Sequence, residues 1–112
     1  MRIKIQGVGF ALSAGLLDHT ARRLRFAVTR TSDRIKRVMV RLGNVRGSHG
    51  SENKFCRIQV VFDCAPPVLI EDAGTDLYAA ISRATERAGR SVANSEDRLR
   101  ENVRLERAEP SG

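Results

Sequence analysis

Residues 55–62 alternate without a break: Cys56, Ile58, Val60 and Phe62 point one way, and Phe55, Arg57, Gln59 and Val61 the other. A period of two sustained over this length demands an extended strand with one face buried. Such a strand cannot satisfy itself, because its backbone groups need neighbouring strands and its apolar face needs a covering layer. Pro66 and Pro67 end it, since proline has no N–H to give to a ladder.

The neighbours and the cover can be read nearby. Val38, Val40 and Leu42 alternate with Arg37, Met39 and Arg41, and residues 43–53, with three Gly, two Ser and two Asn, predict a loop joining two hairpin strands. Residues 68–72 give a short fourth strand. Residues 2–6, with Ile3 and Ile5 on one face, give a first strand that Gly7-Val8-Gly9 interrupts. Ser13 can cap a helix over about residues 14–29, whose core stripe is Leu16, Leu17, Thr20, Leu24, Ala27 and Val28, with Arg22 and Arg25 opposite. Phe26 and Gly15 fit that helix poorly, and Thr31-Ser32-Asp33 reads as a turn.

The strongest helical signal follows Gly74-Thr75-Asp76, where Thr75 or Asp76 serves as N-cap. Leu77, Ala80, Ile81, Ala84, Ala88 and Val92 recur at i, i+3, i+4 spacing. Asn94-Ser95-Glu96-Asp97 either ends this helix or is crossed by it, since Leu99 and Val103 extend the stripe; residues 108–112 are expected to form a disordered tail. The order is β-α-β-β-β-α. The expected fold is α+β, a two-layer sandwich with two helices packed on one face of a four-stranded sheet. Residues 1–94 would form that domain and residues 95–112 a helical extension and flexible tail. The other sheet face would carry Lys4, Arg37, Arg41, Arg57 and Gln59.

A chain of 112 residues is long enough for one such core and too short for two. No stretch approaches the ~20 apolar residues of a membrane span, and Met1-Arg2-Ile3-Lys4-Ile5-Gln6 alternates instead of forming a signal-peptide core. The expected location is the cytoplasm. Cys56 and Cys64 lack the further Cys/His ligands of a structural zinc site, and the compartment argues against a disulfide between them. No metal or other cofactor is expected. His19 and His49 are isolated, no serine sits in a nucleophile elbow, no glycine pattern cradles phosphate, and Glu71, Asp72 and Asp76 offer no paired-acid site. An enzyme reading has no residue set to name.

Charge is more informative. Between Arg22 and Arg41 lie eight basic residues and one acid, Asp33, which accounts for the entire net charge of +7; the bases and acids elsewhere cancel. A concentrated excess makes a local field that attracts polyanions. In the last helix Arg83, Arg87 and Arg90 fall within about 60° of one another at ~100° per residue, with Glu86 placed to pair with Arg90 at i, i+4. Guanidinium groups bridge phosphate oxygens in a fork and stay charged at any working pH. No strand carries an aromatic cluster on which bases could stack, and no recognition helix is evident, so structured RNA read by shape and backbone suits this chain best.

Gly74-Thr75-Asp76-Leu77-Tyr78-Ala79-Ala80-Ile81 resembles the start of the second helix in the hibernation promoting factor / ribosome-associated inhibitor family, also called ribosomal subunit interface or sigma-factor modulation proteins. Asp33-Arg34-Ile35 resembles that family's first crossover, and Ile3-x-Ile5-x-Gly7 its opening strand. The resemblance covers roughly residues 1–94. It implies a fold similar to double-stranded-RNA-binding domains, and binding to small-subunit rRNA near the decoding region that silences idle ribosomes. It further implies a monomer with no small-molecule substrate and no membrane partner. The rRNA-binding residues would be Arg22, Arg25, Arg83, Arg87 and Arg90, of which Arg87 and Arg90 match family basic positions and Arg83 is an additional charge. Asn94 stands where the family has lysine. With no second domain after the last helix, the chain resembles the family's short form. The residues alone leave two alternatives open: a regulatory module docking its arginines on an acidic protein, and an enzyme of unknown chemistry.

Overall fold

A computed structural model describes residues 2–29, 34–46 and 52–108. The elements are β1 (Arg2–Val8), α1 (Ala14–Val28), β2 (Ile35–Arg46), β3 (Glu52–Phe62), β4 (Val68–Gly74) and α2 (Leu77–Ala108). The expected α+β order is therefore observed. The turn expected at Thr31-Ser32-Asp33, the tip of the hairpin loop and residues 109–112 of the tail lie outside the described residues.

The strands form one sheet in the order β1-β2-β3-β4. β2, β3 and β4 run antiparallel as a meander, while β1 pairs parallel to β2. The sheet is thus mixed, because a parallel neighbour needs a long crossover and α1 provides it. Both α1 and α2 lie on one face. Leu16, Leu24 and Val28 of α1, and Leu77, Ala80, Ile81, Ala84, Ala88 and Val92 of α2, share one buried cluster with Val38, Val40, Leu42, Cys56, Ile58 and Val60. Thr20 is buried among them without penalty, since its hydroxyl donates to the Leu16 carbonyl at 2.8 Å.

The helix starts follow from their caps. Ser13 Oγ accepts from the Leu16 N–H at 3.1 Å. Asp76, rather than Thr75, caps α2, its Oδ1 accepting from the Tyr78 N–H at 3.0 Å. α2 does not stop at Asn94; it continues unbroken to Ala108. In α1 the expected stripe is partly revised, for Leu17 is 37% exposed.

The hairpin is longer than its composition suggests. Gly43 is a strand residue opposite Phe55, and the ladder runs on through Asn44↔Lys54 to Arg46↔Glu52. Glycine is what the pairing needs there: a Cβ on Gly43 would lie 2.6 Å from Phe55 Cε1. The missing side chain makes room for the Phe55 ring, and Phe55 is buried although it lies on the outer side of the sheet.

Both cysteines are free, Cys56 in the core and Cys64 exposed in the turn after β3. Burial, with a smaller contribution from Asp72, pushes the Cys56 thiol up to about 12. Its neutral form is the one the fold accommodates. The stability it contributes is therefore fully present below the ordinary thiol pKa and is lost as pH rises from there toward about 12. At neutral pH a disulfide-exchange reagent should titrate one thiol in the native protein and two in denaturant. Cys56→Ala should flatten the alkaline fall in stability.

Candidate nucleic-acid interface

Among the residues whose exposure is described, the helical layer carries seven exposed arginines: Arg22, Arg23 and Arg25 on α1, and Arg83, Arg87, Arg90 and Arg98 on α2. The acids there whose exposure is described are Asp18, Glu86 and Asp97. The core stripes leave these positions outward, so the excess follows directly from how the two amphipathic helices dock.

The five arginines singled out from the sequence do not all converge. Arg83 and Arg87 reach from α2 over the edge of the sheet to β4. There Arg83 Nη2 meets Asp72 Oδ1 at 2.9 Å, and Arg87 Nη1 lies 3.7 Å from Asp72 Oδ2. Arg87 Nη1 also donates to the Glu71 carbonyl at 3.1 Å. The hydrogen bonds that Arg83 donates to Asp72, and then the charge of that carboxylate, raise the Arg83 guanidinium pKa above its ordinary value. Asp72 is only 14% exposed, so this carboxylate is a fixed internal counter-ion at the foot of the arginine pair. Arg22 pairs instead along its own helix, with Asp18 at 2.8 Å, and both side chains are largely exposed. Arg25 is exposed on α1.

Arg90 belongs to a third place. It lines an open groove between the helices together with Glu86 of α2 and Arg23 and Phe26 of α1. Among the described residues no carboxylate lies within ion-pair distance of Arg90, so the pair expected with Glu86 does not form. Arg23 and Phe26 were not singled out as site residues from the sequence. The signal for Arg23 was its place in the basic window; the signal for Phe26 was its poor fit to the helix, and it is 86% exposed.

The outer face of the sheet is a second basic surface. Arg2 sits opposite Arg37, and Arg41 opposite Arg57, with Lys4 between the two rows on β1. Like charges placed directly across a ladder repel. Among the described residues only Arg57 has a carboxylate partner there, Glu71 at 3.0 Å. The face has an apolar centre, however: Met39 and Leu69 share a shallow hollow of about 230 Å³ with Arg41, Arg57 and Gln59, and Leu69 is 63% exposed.

Of the two histidines, His49 lies outside the described residues. The His19 ring tilts against Tyr78 with centroids 4.8 Å apart, and its Nε2 is buried without a hydrogen-bond partner. Among the described residues no group of three or more His, Cys, Asp or Glu could hold a metal ion. No described helix is long and apolar enough to cross a membrane.

Comparison with known proteins gives a consistent picture. The family model described as "Sigma 54 modulation protein / S30EA ribosomal protein" matches residues 3–100. No curated sequence matches the chain. Among solved structures, a ribosomal subunit interface protein from Coxiella burnetii is similar with a TM-score of 0.74 at 14% identity, covering 87% of this chain and 99% of that one. At that identity the likeness concerns the fold. The N-terminal domain of Protein Y from Thermus thermophilus is similar with a TM-score of 0.66 at 27% identity, over 82% of this chain and 96% of that one.

Proposed function

Because the chain belongs to the Sigma 54 modulation protein / S30EA ribosomal protein family, we propose that it binds the small ribosomal subunit through rRNA phosphates near the decoding region and holds idle ribosomes silent. The observation that carries this reading beyond family membership is the arginine excess on the outer side of the helical layer. Arg22, Arg25, Arg83, Arg87 and Arg90 are the proposed phosphate contacts, and Arg23 joins them through the groove it shares with Arg90. The exposed Arg22–Asp18 pair does not compete seriously, since such pairs are worth about 0–1 kcal/mol. A phosphate offers a guanidinium the same fork geometry with more charge.

In this reading residues 1–94 make the ribosome-binding domain, working as a monomer in the cytoplasm without a cofactor, and residues 95–112 extend it. Non-enzymatic occlusion of the RNA surface is the whole of the mechanism. It needs only that several phosphates be neutralised at once by a rigid array.

The test is co-sedimentation with isolated small subunits at rising salt. With ~3–5 phosphates engaged, the log–log slope of affinity against salt should lie between about −2 and −4, at ~0.7–0.9 per phosphate. A slope near zero overturns the reading. So does recovery with a single acidic protein from nuclease-treated extract, while subunits are left behind.

A further inference from the structure

Phe26 is the least economical residue of α1. It stands 86% exposed in the last turn of α1, where an aromatic ring is a mediocre helix former and forfeits the burial that makes phenylalanine useful. Its surroundings supply what the isolated helix does not. α1 and α2 approach closely where Ala27 meets Gly89: a Cβ on Gly89 would lie 2.8 Å from the Ala27 carbonyl oxygen and 3.1 Å from the Ala27 Cβ. A mid-helix glycine is destabilising by roughly 1 kcal/mol relative to alanine, and here it lets the two backbones touch.

That contact makes the floor of an open groove of about 470 Å³, a volume within the usual ~300–1,000 Å³ of ligand sites. Arg23 and Phe26 form its α1 wall, and Glu86 and Arg90 its α2 wall. An aromatic face, two cations and one carboxylate acceptor thus surround a single space.

Each wall rejects some occupants. A bare phosphate would use the guanidiniums and leave the ring idle. An aliphatic peptide would use the ring and leave both cations unpaired. A nucleotide uses all of them: its base stacks on the ring, its flanking phosphates meet Arg23 and Arg90, and an amino or hydroxyl hydrogen donates to Glu86. A base inside a duplex presents no free π-face, so the occupant must be unpaired.

We propose that the groove between α1 and α2 seats one unpaired RNA base on Phe26, with its neighbouring phosphates held by Arg23 and Arg90. The inference rests on the RNA-binding reading above and deepens it. The rest of the helical face reads backbone, whereas this groove marks a position where a nucleotide stands out of the helix.

The chain contains no tryptophan, so Phe26→Trp places a single reporter in the groove at a position open enough to accept it. Its emission should be quenched by single-stranded oligoadenylate and unchanged by polyphosphate or by a blunt RNA duplex. Phe26→Ala, which removes few native contacts, should weaken oligoadenylate binding by about 5- to 150-fold, the range expected for one stacked base. Binding of polyphosphate should stay the same. Affinity for small subunits should fall at every salt concentration with an unchanged salt slope, because a stack is lost and no phosphate contact is. Unquenched emission with oligoadenylate, in a chain that still sediments with subunits, overturns the seat and leaves the ribosome reading standing. A response to an acidic peptide in place of RNA overturns it as well. Quenching by oligoadenylate in a chain that ignores subunits supports the seat and removes the ribosome as its source of RNA.

Discussion

Exchanging both Arg87 and Arg90 for glutamate should weaken binding to the small subunit by about 100-fold at ~0.1 M salt, since each lost phosphate contact forfeits roughly a tenfold counterion-release gain. The salt slope should become shallower by about 2 at the same time. The two positions are not equivalent. Arg90 has no carboxylate within ion-pair distance among the described residues, so no ion pair must break before it meets a ligand. Arg87 is tethered to Asp72 and to the Glu71 carbonyl, so part of its field is already answered from within the protein. Arg90→Glu alone should therefore carry more than half of the effect. Asp72→Asn should act in the opposite direction, tightening polyanion binding, because it releases both Arg83 and Arg87 from their shared counter-ion. Equal losses from the two single reversals, with no gain from Asp72→Asn, would show that β4 does not hold these arginines back.

The helical layer of this fold was legible because its periodicity is local. The α2 stripe from Leu77 to Val92 is buried position for position as its spacing requires, and Ser13 caps α1 through a hydroxyl three residues from its donor. What escaped the sequence depends on partners far along the chain. Gly43 looks like loop material until Phe55, on another strand, is laid across it. Helical spacing identifies neighbours at i+4, so it suggested Glu86 for Arg90; it could not point to Asp72, eleven residues before Arg83 and on a strand. The groove is a product of the Ala27–Gly89 contact between helices. Neither helix contains it alone, which is why Arg23 and Phe26 were invisible as a site. Parallel pairing of β1 follows once α1 is recognised as a crossover, and it was the sheet feature most open to derivation from element order alone.

Leu24→Ala should lower the unfolding free energy by about 2–5 kcal/mol, a large share of the ~5–15 kcal/mol that holds a domain together. At ~4–8 °C per kcal/mol for a domain of this size, the melting temperature should fall by about 8–40 °C. The reason is geometric. Leu24 is fully buried at the centre of the α1 stripe, one turn from Thr20 and one from Val28, and all three belong to the interior. Truncation there leaves a void bounded by a sheet already committed to its own ladders, and such a surface collapses poorly. Leu17 has the same side chain and was assigned to the same stripe by spacing, yet it is 37% exposed. Leu17→Ala should stay within about 1 kcal/mol, because little area leaves a dry environment and alanine is the better helix former. Thermal unfolding followed by circular dichroism separates the two cases. Equal shifts would mean that α1 docks with a different side inward. The outward placement of Arg22, Arg23, Phe26 and Arg25, from which the binding surface is built, would then be lost with it.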